Sequence, residues 1–395
     1  MRDVVIAGAV RTPIGKFGGA LANVPAVDLG AIVVKETLNR AGIPVEDVDE
    51  VIMGHVIQAG TGSNTARQAA LEADVPVSVP AFTVNKVCAS GMKCITLGAL
   101  SIASGERDIV VAGGMENMSA APYLLPRARW GQRLGDGQVL DALLRDGLTD
   151  PGAQCHMGMT AENLAEEFEI SRREQDEFAA ESQRKTAAAM AEGRFEAEIV
   201  PVSVPQRKGD PKIVALDEHP RHDTTVEILA KLKPAFKKDG TVTAGNASGI
   251  NDAAAAMTLL SAEEAKARGI RPMARIVSYA SAALEPMLMG LGPVGATRLA
   301  LERAGLTLDD IEIVELNEAF AAQSLAVIRQ LELDPARVNL NGGAIALGHP
   351  LGATGARIVV TLLHLMAARD LRLGLATLCI GGGQGMALVV ERCPA

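Results

Sequence analysis

Leu38-Asn39-Arg40-Ala41-Gly42-Ile43 runs on to Glu46-Asp47-Val48-Asp49-Glu50-Val51, and Leu301-Glu302-Arg303-Ala304-Gly305-Leu306 runs on to Asp309-Asp310-Ile311-Glu312-Ile313-Val314. The second stretch repeats the first at a constant offset of 263 residues. In each copy a helical pattern meets Arg-Ala-Gly, where glycine suits the left-handed position just past a helix end, and a strand follows. Further on, both copies run a strand into glycines: Ile109-Val110-Val111-Ala112-Gly113-Gly114, and Thr377-Leu378-Cys379-Ile380-Gly381-Gly382. The chain therefore reads as two related halves made by duplication.

Outward from the repeat, short β-branched runs alternate with longer Ala-rich helical patterns. Val4–Val10, Glu50–Met53, Ile109–Gly113, Arg275–Tyr279, Ile311–Leu316 and Gly374–Ile380 are predicted strands. Leu29–Ala41, Ser90–Ser104, Val294–Ala304 and Leu351–Arg369 are predicted helices. That alternation predicts an α/β fold with largely buried sheets. Residues 120–249 differ in character. Tyr123–Arg145 is rich in Arg, Leu and Gly, Glu162–Glu192 is helical and charged, and Lys208–Lys238 is irregular and basic. This segment reads as an insertion on the first half, and its basic patch suits an anionic ligand.

The 395 residues, 48% of them hydrophobic, allow a large core and exclude disorder. A net charge of −9 argues against general affinity for nucleic acid or an anionic membrane. No uncharged apolar run reaches the ~18 residues of a membrane span. The opening MRDVVIAGAVRTP reads as a strand and turn with no cleavage-like segment, and five cysteines show no C-x-x-C pairing. Reduced thiols and a cytoplasmic location are the expectation.

Cys88 lies in Asn85-Lys86-Val87-Cys88-Ala89-Ser90-Gly91, between an extended run and a helix. A thiol beside a helix N-terminus meets free amides and the positive end of the dipole, which favour thiolate. That is the setting of an activated nucleophile, although a lone Cys is more commonly a small buried hydrophobe. His349 follows a glycine-rich run, Asn341-Gly342-Gly343 to Gly348, and precedes Pro350, which fits the first position of the next helix and makes His349 its N-cap. Cys88 lies 48 residues after Arg40 and His349 lies 46 after Arg303. The two turns are near-equivalent in the two halves. Meeting at the interface, they would pair a thiol with a proton acceptor in an ion pair. Cys379, before Gly381-Gly382-Gly383, is a second candidate acid/base beside N–H donors for an oxyanion. Asn317-Glu318-Ala319-Phe320 offers an amide that could hold a water. His55, His219, His222 and His364 read as surface or structural, and no spacing resembles a metal site. Gly290-Leu291-Gly292-Pro293-Val294-Gly295 matches a dinucleotide fingerprint but follows its strand too loosely, so an oxidoreductase is disfavoured.

Together these segments resemble the thiolase family over essentially the whole chain, in particular its short-chain acetyl-CoA acetyltransferases. The carrying motifs are Asn85–Gly91, Gly113-Gly114-Met115-Glu116-Asn117-Met118-Ser119, His156-Met157-Gly158, Thr243–Gly249, Asn317–Phe320, Gly348-His349-Pro350 and Cys379–Gly383. The resemblance implies the duplicated five-layer αβαβα fold with an inserted loop domain. On that pattern the halves are 1–119 with 250–270 and 271–395, and the insert is 120–249. It also implies reversible condensation of two acetyl-CoA into acetoacetyl-CoA and CoA through an acetyl group on Cys88. His349 would activate Cys88, Cys379 would take the α-proton, and Asn317 would hold a water at the enolate oxygen. The N–H groups of Cys88 and Gly381 would hold the tetrahedral oxyanion. The family pattern puts Arg221 at the nucleotide phosphates and Ser248 at the pantetheine arm. Leu148, His156, Met157, Leu232, Ala235, Phe236, Ala244, Met289, Ala319 and Phe320 would line the tunnel. No metal or redox cofactor is implied, and a homotetramer through Tyr123–Arg145 is. The alternative is a degradative thiolase of broader chain length. A ketoacyl synthase would carry His where this chain has Cys379. His55 in Gly54-His55-Val56 departs from the family's usual Asn, and Ser63-Asn64-Thr65 from its common Gln-Asn-Pro.

Overall fold

The computed structural model describes residues 2–394. Ten strands share one hydrogen-bonded sheet: β1 (Val4–Arg11), β2 (Gly15–Lys16), β3 (Glu50–Gly54), β4 (Ala81–Val84), β5 (Ile109–Asn117), β6 (Asn251–Ser261), β7 (Ala274–Ala283), β8 (Ile313–Leu316), β9 (Leu373–Ile380) and β10 (Gln384–Arg392). The order is β8-β9-β10-β7-β1-β6-β5-β3-β4, with β2 paired to β6. The helices that frame the site are α1 (Ala26–Ala41), α2 (Thr65–Glu72), α3 (Ser90–Ser104), α4 (Gly158–Glu167), α5 (Arg172–Ala191), α6 (Gly292–Ala304), α7 (Ala321–Leu331) and α8 (Leu351–Arg369).

The duplication is visible strand by strand. In the first half β1 pairs antiparallel with β6, β6 antiparallel with β5, and β5 parallel with β3. In the second, β7 pairs antiparallel with β10, β10 antiparallel with β9, and β9 parallel with β8. Within the sheet the halves join through two β1–β7 residue pairs, Val5–Arg275 and Ile6–Ala274. Both Arg-Ala-Gly stops end their helices as the sequence requires. Gly42 has φ 67° and Gly305 has φ 66°, and the residue after each bonds back to Leu38 and Leu301 respectively. Only glycine takes that backbone without strain.

Four strands of the sheet have no counterpart among the predicted strands: β2, β4, β6 and β10. The β6 run Ala253-Ala254-Ala255-Ala256 has helical propensity, yet every β6 residue is buried. Ala254, Ala256 and Leu260 pack with α1, while Ala255, Met257 and Leu259 pack with α3 and α8. Alanine lets helices approach a strand closely from both faces, so tertiary packing overrides propensity. Ala376, Leu378, Met386 and Leu388 close the other side of α8, and Val314, Leu375 and Val389 face α6 and α7. The result is five layers: α1/α2, sheet, α3/α8, sheet, α6/α7. The helix α8 and the segment Val87–Ser104 are long and apolar enough to cross a membrane, yet both are mostly buried in this central layer. A helix apolar on all sides needs a core or a bilayer, and here it has the core.

Between β5 and β6 the chain leaves the sheet for α4, α5 and a small hairpin, Val202–Val204 with Lys212–Val214. A capping box of Ser171 and Glu174 starts α5. From α5, the Ser182 hydroxyl reaches Glu318 at 2.7 Å and the Thr186 hydroxyl reaches the Asn341 carbonyl at 3.2 Å. The segment thus leaves from the first half and grips loops of the second.

Candidate active site

Cys88 sits on the turn between β4 and α3. Val87 before it has φ 47°, a left-handed backbone that a β-branched residue adopts only under strain of about 1–3 kcal/mol. The turn is held locally: Ser90 Oγ donates to the Val87 carbonyl at 2.7 Å and accepts from Lys86 N at 2.8 Å. His349 sits just before α8. Each residue stands two positions ahead of its helix, Ser90 and Leu351 being the first helical residues. The helix that follows His349 begins one residue later than the sequence suggests, with Pro350 in extended conformation as N-cap. His349 is therefore not the cap.

The two turns meet because α3 and α8 cross backbone to backbone. A Cβ at Gly91 would lie 2.7 Å from the Ala356 nitrogen, and one at Gly355 would lie 2.5 Å from the Met92 nitrogen. Real Cβ atoms do not come so close, so glycine is required on both helices. Cys88 is 3% exposed and lies within reach of the Gly381 N–H, and the Cys379 sulfur is near enough to feel its charge. Burial pushes the Cys88 thiol up to about 11, against the pull of the Gly381 and Cys88 N–H groups. Burial raises the Cys379 thiol well above its ordinary range, and Cys88 adds to that. Both sulfurs rest as thiols. Burial thus opposes the thiolate that the helix N-terminus favours.

His349 is held directly by two groups. Its N–H donates to Asn251 Oδ1 at 2.9 Å, and its Nδ1 lies 2.7 Å from Thr354 Oγ1. The Asn251 amide crowds Gly348, where a Cβ would fall 2.4 Å from Cγ and φ is 110°. The next turn is fixed by Glu116, which accepts from Gly352 N at 2.8 Å, Val56 N at 3.1 Å and Ile57 N at 3.2 Å. Burial, with repulsion from the buried Arg357, lowers the imidazole to about 3. The resting pair is thus a neutral thiol and a neutral imidazole, not the ion pair that the sequence suggests.

A cavity of about 460 Å³ leads to His349. Leu148, His156, Arg221, Ala235, Phe236, Ala244, Ser248 and Phe320 line it. Met157, Met289, Ala319 and Cys379 form one apolar cluster with Phe320 and Ala247, so Cys379 lies in the layer behind the cavity wall. His156 stacks on Phe236 at 4.6 Å, and its Nδ1 accepts from Gly158 N at 3.0 Å. Leu232 does not line the cavity and packs toward Leu229, Ala321 and Ile345. Asn317 is fully buried, and neither of its amide atoms has a partner among the described residues. Lys16, Phe17 and Met118 line the cavity without having been singled out. His219 lines it too, against its reading as surface or structural, and burial with Arg221 nearby lowers it to about 4. Glu116 lay in a quoted motif without a role, and nothing local flagged Asn251 or Thr354. His55 is buried against Glu116 at 3.3 Å, a structural place. The apparent dinucleotide glycines have another purpose. A Cβ at Gly292 would lie 2.0 Å from the Gln384 carbonyl, so glycine serves helix–sheet packing there.

The models of the thiolase N-terminal and C-terminal domains match residues 4–263 and 270–392, and the chain belongs to the thiolase family. It is 59% identical over 393 residues to the acetyl-CoA acetyltransferase of Escherichia coli, and 58% identical over 392 residues to that of Pseudomonas aeruginosa. Each alignment covers 99% of this chain and 100% of the relative. The crystal structure of the Bacillus anthracis acetyl-CoA acetyltransferase superposes with a TM-score of 0.98 at 49% identity, covering 100% of this chain and 99% of that one.

Proposed function

We infer that this protein is an acyltransferase that condenses two acetyl-CoA into acetoacetyl-CoA and CoA, reversibly, through acetyl-Cys88. The relatives named above support that activity directly. The observation that supports the residue roles is that His349 lines the cavity while Cys379 lies in the apolar cluster behind its wall, with Cys88 beside Cys379 and the Gly381 N–H. A sulfur that rests protonated needs a base, and a neutral His349 is one.

The proton account closes without a resident cofactor. The Cys88 proton passes to His349 Nε2, and the thiolate attacks the thioester carbon. The departing CoA sulfur takes the Cys379 proton, leaving acetyl-Cys88, a Cys379 thiolate and an imidazolium. The Cys379 thiolate removes the α-proton of the second acetyl-CoA. The imidazolium N–H and a water on Asn317 stabilise the enolate oxygen, the largest electrostatic demand of the cycle. Carbon–carbon bond formation gives a tetrahedral oxyanion facing the Cys88 and Gly381 N–H groups. Its collapse expels the Cys88 thiolate, which recovers its proton from His349. Arg221 would meet the CoA phosphates and Ser248 the pantetheine arm, a reading supported by their sharing one cavity with Lys16.

Exposed Tyr123, Leu125, Trp130, Leu134 and Val139 support a homotetramer built through this loop. Five free cysteines accord with a cytoplasmic location. Thiolysis of 3-ketoacyl-CoA substrates of increasing chain length tests the reading. Activity concentrated on the four-carbon substrate supports it, and comparable kcat/KM on long chains establishes the degradative alternative.

A further inference from the structure

Thr354 lies on the first turn of α8, fully buried, with its hydroxyl between the Pro350 carbonyl oxygen and His349 Nδ1. Its Oγ1 is 2.9 Å from the Pro350 carbonyl oxygen and 2.7 Å from His349 Nδ1. A hydroxyl has one proton to give. The Pro350 carbonyl can only accept. If the proton went to Nδ1 instead, two oxygen atoms would face each other at 2.9 Å, buried, with no proton between them. Both distances are satisfied together only when Thr354 donates to Pro350 and accepts from Nδ1–H. A neutral imidazole protonated at Nδ1 has its free lone pair on Nε2. That atom is buried and has no partner among the described residues. His156, on the same cavity, has the opposite arrangement, because its Nδ1 accepts from the Gly158 N–H.

We propose that Thr354 is a positioning residue that fixes His349 in the Nδ1–H tautomer, so that Nε2 begins each cycle as an acceptor and becomes a donor only by taking the Cys88 proton. The inference rests on the roles given to His349 and Cys88 above. It adds a timing rule. Before Cys88 is deprotonated, His349 has no N–H to offer a thioester oxygen. After S–H breaks and Nε2–H forms, the same atom holds an enolate oxygen as part of a cation. Attack and enolate stabilisation thereby become sequential uses of one proton. The Thr354–Pro350 bond also holds the ring angle, because the carbonyl belongs to the residue that caps α8.

The tautomer is read in the unreacted, full-length protein by 15N solid-state NMR of labelled histidine, with His349 assigned by comparison with His349→Asn. A protonated Nδ1 and a bare Nε2 are expected. A proton on Nε2 in the resting protein overturns the proposal, and does so whether or not the chain condenses acetyl-CoA. Thr354→Val keeps the shape and deletes the hydroxyl, and Thr354→Ser keeps the hydroxyl. Loss of an orienting partner of this kind typically costs about 10- to 100-fold. The Val variant should lose that much in kcat with KM for acetoacetyl-CoA within about twofold, and its His349 signal should shift toward the Nε2–H form. The Ser variant should recover to within about threefold of the parent. A Ser variant as impaired as Val, or a Val variant with parental kcat and parental 15N shifts, sinks the assignment. Should Val fail to fold, the parent spectrum and the Ser variant decide the matter.

Discussion

The turns that carry Cys88 and His349 occupy matching places in the two halves, yet they are built in opposite ways. The Cys88 turn is short, strained at Val87 and held by the hydroxyl of Ser90, four residues from its partner Lys86 in the same motif. The His349 turn is held from a distance, by Asn251 on β6 and, one turn on, by Glu116 on β5. A duplicated scaffold supplied two helix N-termini, and local strain sharpened one while long-range clamps rigidified the other. A nucleophile must project toward its target. A base must keep one nitrogen aimed, which needs partners fixed in other elements.

The comparison breaks most completely at Cys88. Acetyl-CoA alone should label Cys88, and Cys88→Ala should abolish the labelling and cut turnover by at least about a thousandfold. Peptide mapping checks this, and label found on Cys379 of the parent protein overturns the assigned roles. Cys379→Ser comes next. It should still accept the acetyl group but condense about a hundredfold more slowly or worse, since a positioned acid/base is worth about that much. Normal condensation in that variant removes Cys379 from the mechanism.

The long-range clamp is sharpened by Glu116→Ala. Three buried N–H groups lose their acceptor, and each unsatisfied donor costs about 1–3 kcal/mol. A stability loss of about 3 kcal/mol is expected by denaturant titration, with acetylation of Cys88 slowed alongside. Loss of stability without any change in acetylation would separate Glu116 from the His349 turn.

The smallest effect concerns pH. His349 titrates near 3 in the folded protein, below its ordinary value of about 6.5. The unfolded chain therefore takes up the proton first. The stabilisation is present above pH ~6.5 and is lost as pH falls toward 3. Between pH 6.5 and 4.5 the parent should lose about 2 kcal/mol more than His349→Asn, by denaturant titration at each pH. Equal losses would mean that the imidazole is not held neutral by its surroundings.

The halves, the helix stops and the turns of Cys88 and His349 are legible in the sequence because each is written locally. Arg-Ala-Gly, the Cys88 turn and the glycines before His349 are short-range signals, and the 263-residue repeat aligned them. The strand β6 is not legible there, because an alanine run declares helix until two layers of helices close on it. The dipole at a helix start is legible along the chain, whereas the burial that opposes a thiolate is not. Asn251, Glu116 and Thr354 had no visible role because their partners lie on other elements or depend on which way a ring turns.

What the amino-acid sequence determined alone is the duplicated α/β frame and the choice of candidate reacting groups. The tertiary structure decided their protonation and aim. Charge state depends on how much water and which N–H groups surround a sulfur or a ring, and those neighbours come from strands and helices hundreds of residues apart.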